Sequence, residues 1–397
     1  MAKTKEKHDL TLAERFKLIR AQGDIINQQA GKVVMYFADS AEAIEKNTIK
    51  FIPTPCMELN EKISGKNGVG GFPIGSMTII TGQSDSGKTS LILESIGLQM
   101  AKDPDFIVLW VESENSLNND ILDMFHIDRG RFIILTITPE DGGEVVLDRA
   151  EALLNTGAFK MFVVNSLRAL TPKSIVNKPI SEDTMAVHAK MNSKFCAKFC
   201  PLFIDKQIAG VIVQHLTSTM ATMSRDPFAL AGGQQLKYLN LLQLDLRKQS
   251  ITEADPVTRE EGMKICVYIR KNHINAKNFP YAKITYYVIY GEGTETKLAL
   301  LQRGIDKGVL EKAGPYIKFI NPETGEKLQW LGKQAFRDAL DDPNLYVMIE
   351  NACGGLAQDL SDEEISEFEK EDAAAEEEIK KITRGKKKAS EETENEE

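Results

Sequence analysis

Two hydrophobic periods alternate along most of the chain. Short runs that are apolar on both faces, MTIIT, FIVLWVES, RFIILTI, MFVVNS and GVIVQH, are separated by stretches with apolar residues every three or four positions. GEVVLDRAEALLNTG and DTMAVHAKMNSKFCAKF are examples of the latter. Strands without a polar face, set between amphipathic helices, predict a mostly parallel, twisted sheet covered on both sides: an α/β core. The later runs LLQLDLR, MKICVYIR and AKITYYVIYG follow one another closely and predict an antiparallel extension of the same sheet. Ahead of the core stand a helix candidate, LTLAERFKLIRAQGDIINQQAG, and a short apolar stretch, VVMYF, together too small to bury a core of their own. Beyond YGEG the pattern shifts to a smaller mixed region. The expected organisation is an N-terminal helix-strand arm at 1–48, a core at 49–292, a small α/β C-terminal domain at 293–360 and an acidic tail at 361–397. The tail, with Phe368 as its one aromatic residue, is expected to be disordered or transiently helical.

Composition adjusts this picture in two places. The 397 residues are 42% hydrophobic, enough for one large core with appended pieces. The net charge of −9 is a poor start for a nucleic-acid binder, yet residues 361–397 hold 15 Asp/Glu and 7 Lys/Arg, a net of −8. Only −1 is left for the first 360 residues, so the acidity belongs to the tail. No apolar run reaches the roughly 18 residues of a membrane span, and the charged start MAKTKEKHDLTLAERFKLIR lacks the apolar stretch of a secretion signal. The five cysteines are scattered and odd in number, which argues against a disulfide framework and for the cytoplasm. Cys196 and Cys200 read better as apolar-face thiols one helical turn apart than as metal ligands.

GQSDSGKT, Gly82 to Thr89, fits G-x-x-x-x-G-K-[ST] and lies between a strand and a helix, the context in which that spacing means a phosphate-binding loop. Backbone N–H groups of Ser84, Asp85, Ser86, Gly87 and Lys88 can ring a β-phosphate at the positive end of the following helix. Lys88 would bridge β- and γ-phosphates, Thr89 would ligate Mg2+, and the site as a whole runs from Gly82 and Gln83 through Ser90. The next strand ends in WVESENSLN, placing Glu112 and Glu114 where a carboxylate could orient and deprotonate water. Spacing alone does not choose between them. In FVVNSLRAL the strand-end position that usually carries a magnesium-steadying aspartate holds Asn165. An amide oxygen can accept from a metal-bound water but brings no negative charge.

Read together, GFPIGSMTIITGQSDSGKTS, VESENSLN, FVVNSLRALTPKS, VIVQH, AGGQQLKYLNLLQLDLRK and VIYGEG resemble the bacterial and phage-encoded RecA recombinases in order and spacing, over roughly residues 20–320. The resemblance implies a RecA-like P-loop ATPase core. It implies an ATP- and Mg2+-loaded helical filament that coats single-stranded DNA and exchanges strands with a homologous duplex. Position by position it makes Glu114 the general base and Gln214 the sensor of the γ-phosphate. Lys271 would reach the neighbouring subunit's ATP, with His273 beside it, and Tyr290 would lie near the neighbour's base. Ile121 falls where the family stacks a tyrosine on adenine, and Asn165 where it keeps an aspartate. Loss of that charge from outside the metal's direct ligands implies slower hydrolysis, by about 10- to 100-fold.

Two polar stretches, TPKSIVNKPISEDT (171–184) and TSTMATMSRDPFALAGG (217–233), are too long for ordinary connections inside a compact domain. They align with the family's DNA-binding loops. Arg225 supplies charge, Gly232 and Gly233 allow close phosphate approach, Met223 is a candidate wedge between bases, and Lys190 could touch the backbone. Few cations per protomer imply affinity gathered by self-assembly. A loader or single-strand-binding protein is a candidate partner. Two rivals share the P-loop core: an ATP-binding scaffold that coats single-stranded DNA with little or no hydrolysis, and a hexameric helicase. The helicase should carry an arginine finger, where this chain has the RKNH lysine.

Overall fold

A computed structural model of the chain describes residues 10–354 apart from 41–42, 45–46, 67, 139, 177–184, 219–227, 231–233, 253–254, 276–281 and 322–323. The chain divides into two compact units, to Lys50 and from Phe51.

In the first unit a helix, Leu12–Ala30, begins at Thr11, whose hydroxyl and the Glu14 carboxylate satisfy each other's backbone N–H groups. It ends at Gly31 in the left-handed conformation. The VVMYF stretch that follows forms no strand. Instead Val34 and Met35 donate their N–H groups to Asn27 Oδ1, at 2.8 and 2.9 Å, while Asn27 Nδ2 donates to the Met35 carbonyl. Met35 packs over Gly23, and Phe37 lies under Arg20 beside Phe16. A strand needs a partner ladder, and this unit supplies none among its described residues. Leu12, Phe16, Ile19 and Val34 remain exposed.

The second unit opens with a short antiparallel pair, β1 (Phe51–Ile52) and β2 (Phe72–Pro73). The main sheet is built from β3 (Ser76–Gly82), β4 (Val108–Glu112), β5 (Phe132–Thr136), β6 (Met161–Asn165), β7 (Ala209–Ser218), β8 (Phe228–Leu230), β9 (Leu242–Gln249), β10 (Gly262–Asn272), β11 (Lys283–Ile289) and β12 (Gly293–Thr294). Its order is β12-β11-β10-β9-β3-β7-β6-β4-β5, with β8 folded back antiparallel on the end of β7. The strands from β9 to β5 are mutually parallel, and every residue of β3, β4 and β6 is buried, as sequences without a polar face require. LLQLDLR, expected in the antiparallel extension, is β9 and runs parallel to β3. The short helix Gln234–Leu239 supplies the crossover, and the antiparallel part begins only at β10.

Apolar residues cover the two faces separately. On one face the helix Lys88–Lys102 packs Leu91, Ile92 and Ile96 against Trp110, Val211, Val213 and Leu244. On the other, helices Gly143–Leu154 and Met185–Lys206 pack against Met77, Leu109, Phe162 and Ile212. Phe195, Phe199 and Phe203 follow one helical turn apart, Phe199 and Phe203 lying against Phe162 and Phe195 against Phe199. A third cluster joins helices Thr296–Asp306, Gly332–Ala339 and Pro343–Gly354 to the antiparallel strands β13 (Leu310–Ala313), β14 (Tyr316–Ile320) and β15 (Lys327–Leu331). It is fixed to the core through the Arg303–Glu61 ion pair.

Candidate functional site

The phosphate-binding loop turns because its glycines leave room for backbone. A Cβ on Gly82 would stand 2.4 Å from the Leu246 carbonyl oxygen, and one on Gly87 2.3 Å from Ile265 Cδ1. Gly87 also holds φ = 82°, a left-handed value that costs glycine nothing, as it caps the helix Lys88–Lys102. Ser86 is buried and ties the loop to itself by donating to the Gln83 carbonyl, while Gln83, Ser84 and Asp85 face solvent and Thr89 and Ser90 are half-buried. Among the described residues, none of the backbone N–H groups from Ser84 to Lys88 is engaged by another backbone carbonyl outside the helix. Unsatisfied donors at a helix start form an anion cradle. Lys88 folds over the loop and donates Nζ to the carbonyls of Gln83 at 2.6 Å and Gly82 at 3.2 Å. Burial pushes its ammonium below the ordinary lysine range, against the opposing pull of Glu114 and Asp85.

The two carboxylates after β4 have different surroundings. Glu112 is buried and fully engaged. Its Oε2 accepts from Trp110 Nε1 at 2.8 Å, and its Oε1 accepts the N–H of Glu114 at 2.8 Å and of Ser116 at 3.2 Å. That carboxylate shapes the turn. Glu114 is the one presented outward, with Oε1 2.6 Å from Nε2 of His215. Burial works against its charge, yet the neighbouring Ser166 hydroxyl, the His215 ring and the Lys88 ammonium outweigh burial and hold the carboxyl below its usual range. Ser166 Oγ stands beside the carboxylate without full hydrogen-bond geometry. Glu114 is thus ionised and available as a proton acceptor.

Asn165 ends β6 next to this turn. Its Nδ2 donates to Ser116 Oγ at 2.9 Å, and its buried Oδ1 has no partner among the described residues. Ser113 and Ser166 stitch the two strand ends together, the Ser166 N–H donating to Ser113 Oγ and that hydroxyl donating to the Ser166 carbonyl. A buried amide oxygen without a donor among the described residues, at the strand end paired with Glu112, fits the outer hydration of a magnesium ion. With Lys88 and the unsatisfied loop N–H groups, the residues fit a Mg2+-bound triphosphate.

The remaining predicted positions divide. Gln214 does not join this group. Strand alternation puts Val211, Val213 and His215 on the face of the phosphate loop, and Ile212 and Gln214 on the other. The Gln214 side chain is fully buried there, with both amide atoms unpartnered among the described residues. His215, one position later and opposite Gly82 in the β3–β7 ladder, is the residue that reaches Glu114. A run apolar on both faces gives no sign of which side each residue takes, so sequence reasoning passed over it. Ile121 packs half-buried on the phosphate-loop side of the core, in the helix Asn119–Met124. Lys271 donates Nζ to the carbonyls of Lys237 and Tyr238, at 2.8 and 2.9 Å, capping the helix Gln234–Leu239 of its own chain. His273 and Tyr290 are exposed, as is Lys190 on the helix Met185–Lys206. Met223, Arg225, Gly232 and Gly233 lie outside the described residues. No described helix is long and apolar enough to cross a membrane, and no described cluster of His, Cys, Asp and Glu, Cys196 and Cys200 included, forms a metal site.

Comparison with known proteins agrees with this geometry. The RecA N-terminal domain family matches residues 17–295. The Protein RecA of Ruegeria pomeroyi is 27% identical over 301 residues, covering 75% of this chain and 82% of the relative. That of Cutibacterium acnes is 25% identical over 341 residues, covering 85% and 91%. That of Chloroherpeton thalassium is 24% identical over 366 residues, covering 92% and 98%. With the match spanning well over half its length and the phosphate loop, carboxylate turn and parallel sheet all in place, the chain belongs to the RecA family, whose members bind ATP and DNA in DNA recombination and repair.

Proposed function

We propose that this protein is a DNA-dependent ATPase that assembles as a helical filament on single-stranded DNA and catalyses homologous pairing and strand exchange. The observation that carries the reading is the meeting, at one strand-edge crevice, of Lys88, the unsatisfied N–H groups of the phosphate loop and an ionised Glu114. A bound Mg2+ would neutralise phosphate charge, held through Thr89 with Asn165 accepting from its water. Lys88 would exchange its carbonyl contacts for the phosphates, and Glu114 would orient water and take its proton. Self-assembly is supported by the apolar residues left exposed on the N-terminal unit and, in the core, by the edge strand β5 with Ile133 and Ile134 exposed. The stretches 171–184 and 217–233, largely outside the described residues, align with the family's DNA-binding loops. They are the places for DNA.

Joint-molecule formation between single-stranded circles and homologous linear duplex tests the reading. Pairing is expected with ATP and also with a non-hydrolysable analogue, because nucleotide binding orders the filament. Closed rings in electron micrographs, with no joint molecules, would favour a helicase and end this reading.

The scaffold alternative draws its support from Asn165. If the missing charge limits magnesium placement, Asn165→Asp should raise DNA-stimulated phosphate release, by about 10-fold or more. Ser116 Oγ can turn to donate to the new carboxylate, so the turn should survive the change. An unchanged rate would remove Asn165 as the cause of slow turnover.

A further inference from the structure

We infer that Ser116 orients the Asn165 amide, so that its oxygen rather than its NH2 group meets the water of a nucleotide-bound cation. The inference rests on reading the crevice as a triphosphate site. An aspartate at the end of β6 would need no such help, because both of its oxygens accept. An amide is two-sided: one end accepts and the other only donates. Water bound to a cation spends a lone pair on the metal and presents its protons. Only the oxygen end of Asn165 can serve it.

Strand alternation puts the side chain on the face that matters. Val163 belongs to the layer packed with the phosphate-loop helix and Val164 to the opposite layer, which returns Asn165 to the first. Trp110 and Val111 sort the same way in β4, so Glu112, the ladder partner of Asn165, shares that face. Ser116 bridges the two, 49 residues away from Asn165 in sequence. Its Oγ lies 3.3 and 3.4 Å from the two Glu112 oxygens and 2.9 Å from Asn165 Nδ2.

A hydroxyl has one proton to give. The Glu112 carboxylate, which already gathers the N–H groups of Trp110, Glu114 and Ser116, takes it. Ser116 Oγ is then left with lone pairs, and the end of asparagine that matches a lone pair is Nδ2. Reversing the amide would set Oδ1 against those lone pairs or draw the proton away from Glu112. It would also turn two N–H donors towards the water. The bonds running from Trp110 through Glu112 and Ser116 to Asn165 therefore fix one orientation, with Oδ1 buried and unpartnered among the described residues. Ser116 acts through Asn165, as a positioning residue.

The test is a double-mutant cycle on the full chain with single-stranded DNA. Equilibrium binding of a fluorescent ATP analogue and, separately, phosphate release from ATP are followed as Mg2+ is titrated. Ser116→Ala is expected to raise the Mg2+ midpoint of both about 10-fold, because the amide is then free to turn over. Ser116→Thr keeps the hydroxyl and should restore most of the loss, which shows that the alanine variant has not simply misfolded. In an Asn165→Asp background, Ser116→Ala should move the midpoint by about 2-fold or less, since a carboxylate has no wrong end. A residue that merely filled the turn would cost the same in both backgrounds. An unmoved midpoint in Ser116→Ala overturns the assignment, as do equal losses in the two backgrounds, and either result leaves the triphosphate reading standing. Failure of the wild-type chain to bind the analogue with Mg2+ overturns that reading, and the assignment with it.

Discussion

Glu114→Gln is expected to lower ATP turnover about 10²- to 10⁴-fold while leaving nucleotide affinity close to that of the wild type. The amide has the shape of the carboxylate, and its oxygen can still accept from His215 Nε2, so the hydrogen-bonded geometry is preserved. What disappears is the ability to take a proton from water. Glu112 cannot substitute for it. Both of its oxygens are occupied, by Trp110 on one side and by the N–H groups of Glu114 and Ser116 on the other. Phosphate release in single turnover, with nucleotide affinity measured in parallel, checks the expectation. A variant that hydrolyses within a few-fold of wild type would mean that the water is activated elsewhere. If ATP binding rather than cleavage orders the assembly, the same variant should still coat single-stranded DNA.

Phe199→Ala should destabilise the core by about 3–5 kcal/mol, seen as a lower urea midpoint. Phe199 is buried at the centre of an aromatic group, with ring centroids 4.5 Å from Phe195, 5.4 Å from Phe162 and 6.0 Å from Phe203. Truncation would leave a void between the helix Met185–Lys206 and β6, walled by rings that cannot collapse into it without leaving their own contacts. Phe199→Leu keeps most of the volume and should cost about 1.5 kcal/mol or less. If the alanine variant lost no more than the leucine variant, the helix would have closed the gap, and the packing of this layer would be looser than the geometry indicates. Glu114→Gln, by contrast, should leave the urea midpoint nearly unchanged, so turnover and stability can be separated.

Much of the architecture was legible because burial on two faces writes itself into composition. β3, β4 and β6 are buried at every position and mostly apolar, which a half-exposed strand could not be. The phosphate loop was equally plain: backbone crowding demands glycine at Gly82, a left-handed turn favours it at Gly87, and a triphosphate calls for the lysine at Lys88. LLQLDLR misled because closeness in sequence suggested a hairpin. A six-residue helix, Gln234–Leu239, is enough to bring the chain back parallel. VVMYF has strand-forming residues, but a ladder needs a second strand, which the described residues of this unit do not contain, and the N–H groups of Val34 and Met35 turn to Asn27 instead.

By itself the sequence determined the two-sided sheet, the loop that can cradle phosphates, the neutral Asn165 and the segregation of acidity into the tail. These follow from residue type and local spacing, which need no knowledge of distant neighbours. Tertiary structure alone decided which of Glu112 and Glu114 is spent on holding a turn, and that His215, 101 residues beyond Glu114, faces it while Gln214 faces away. The reason is physical: in a strand buried on both sides, side-chain direction is fixed by register against its neighbours. That register is set by ladder hydrogen bonds from β3 and β6, not by anything β7 carries in its own residues.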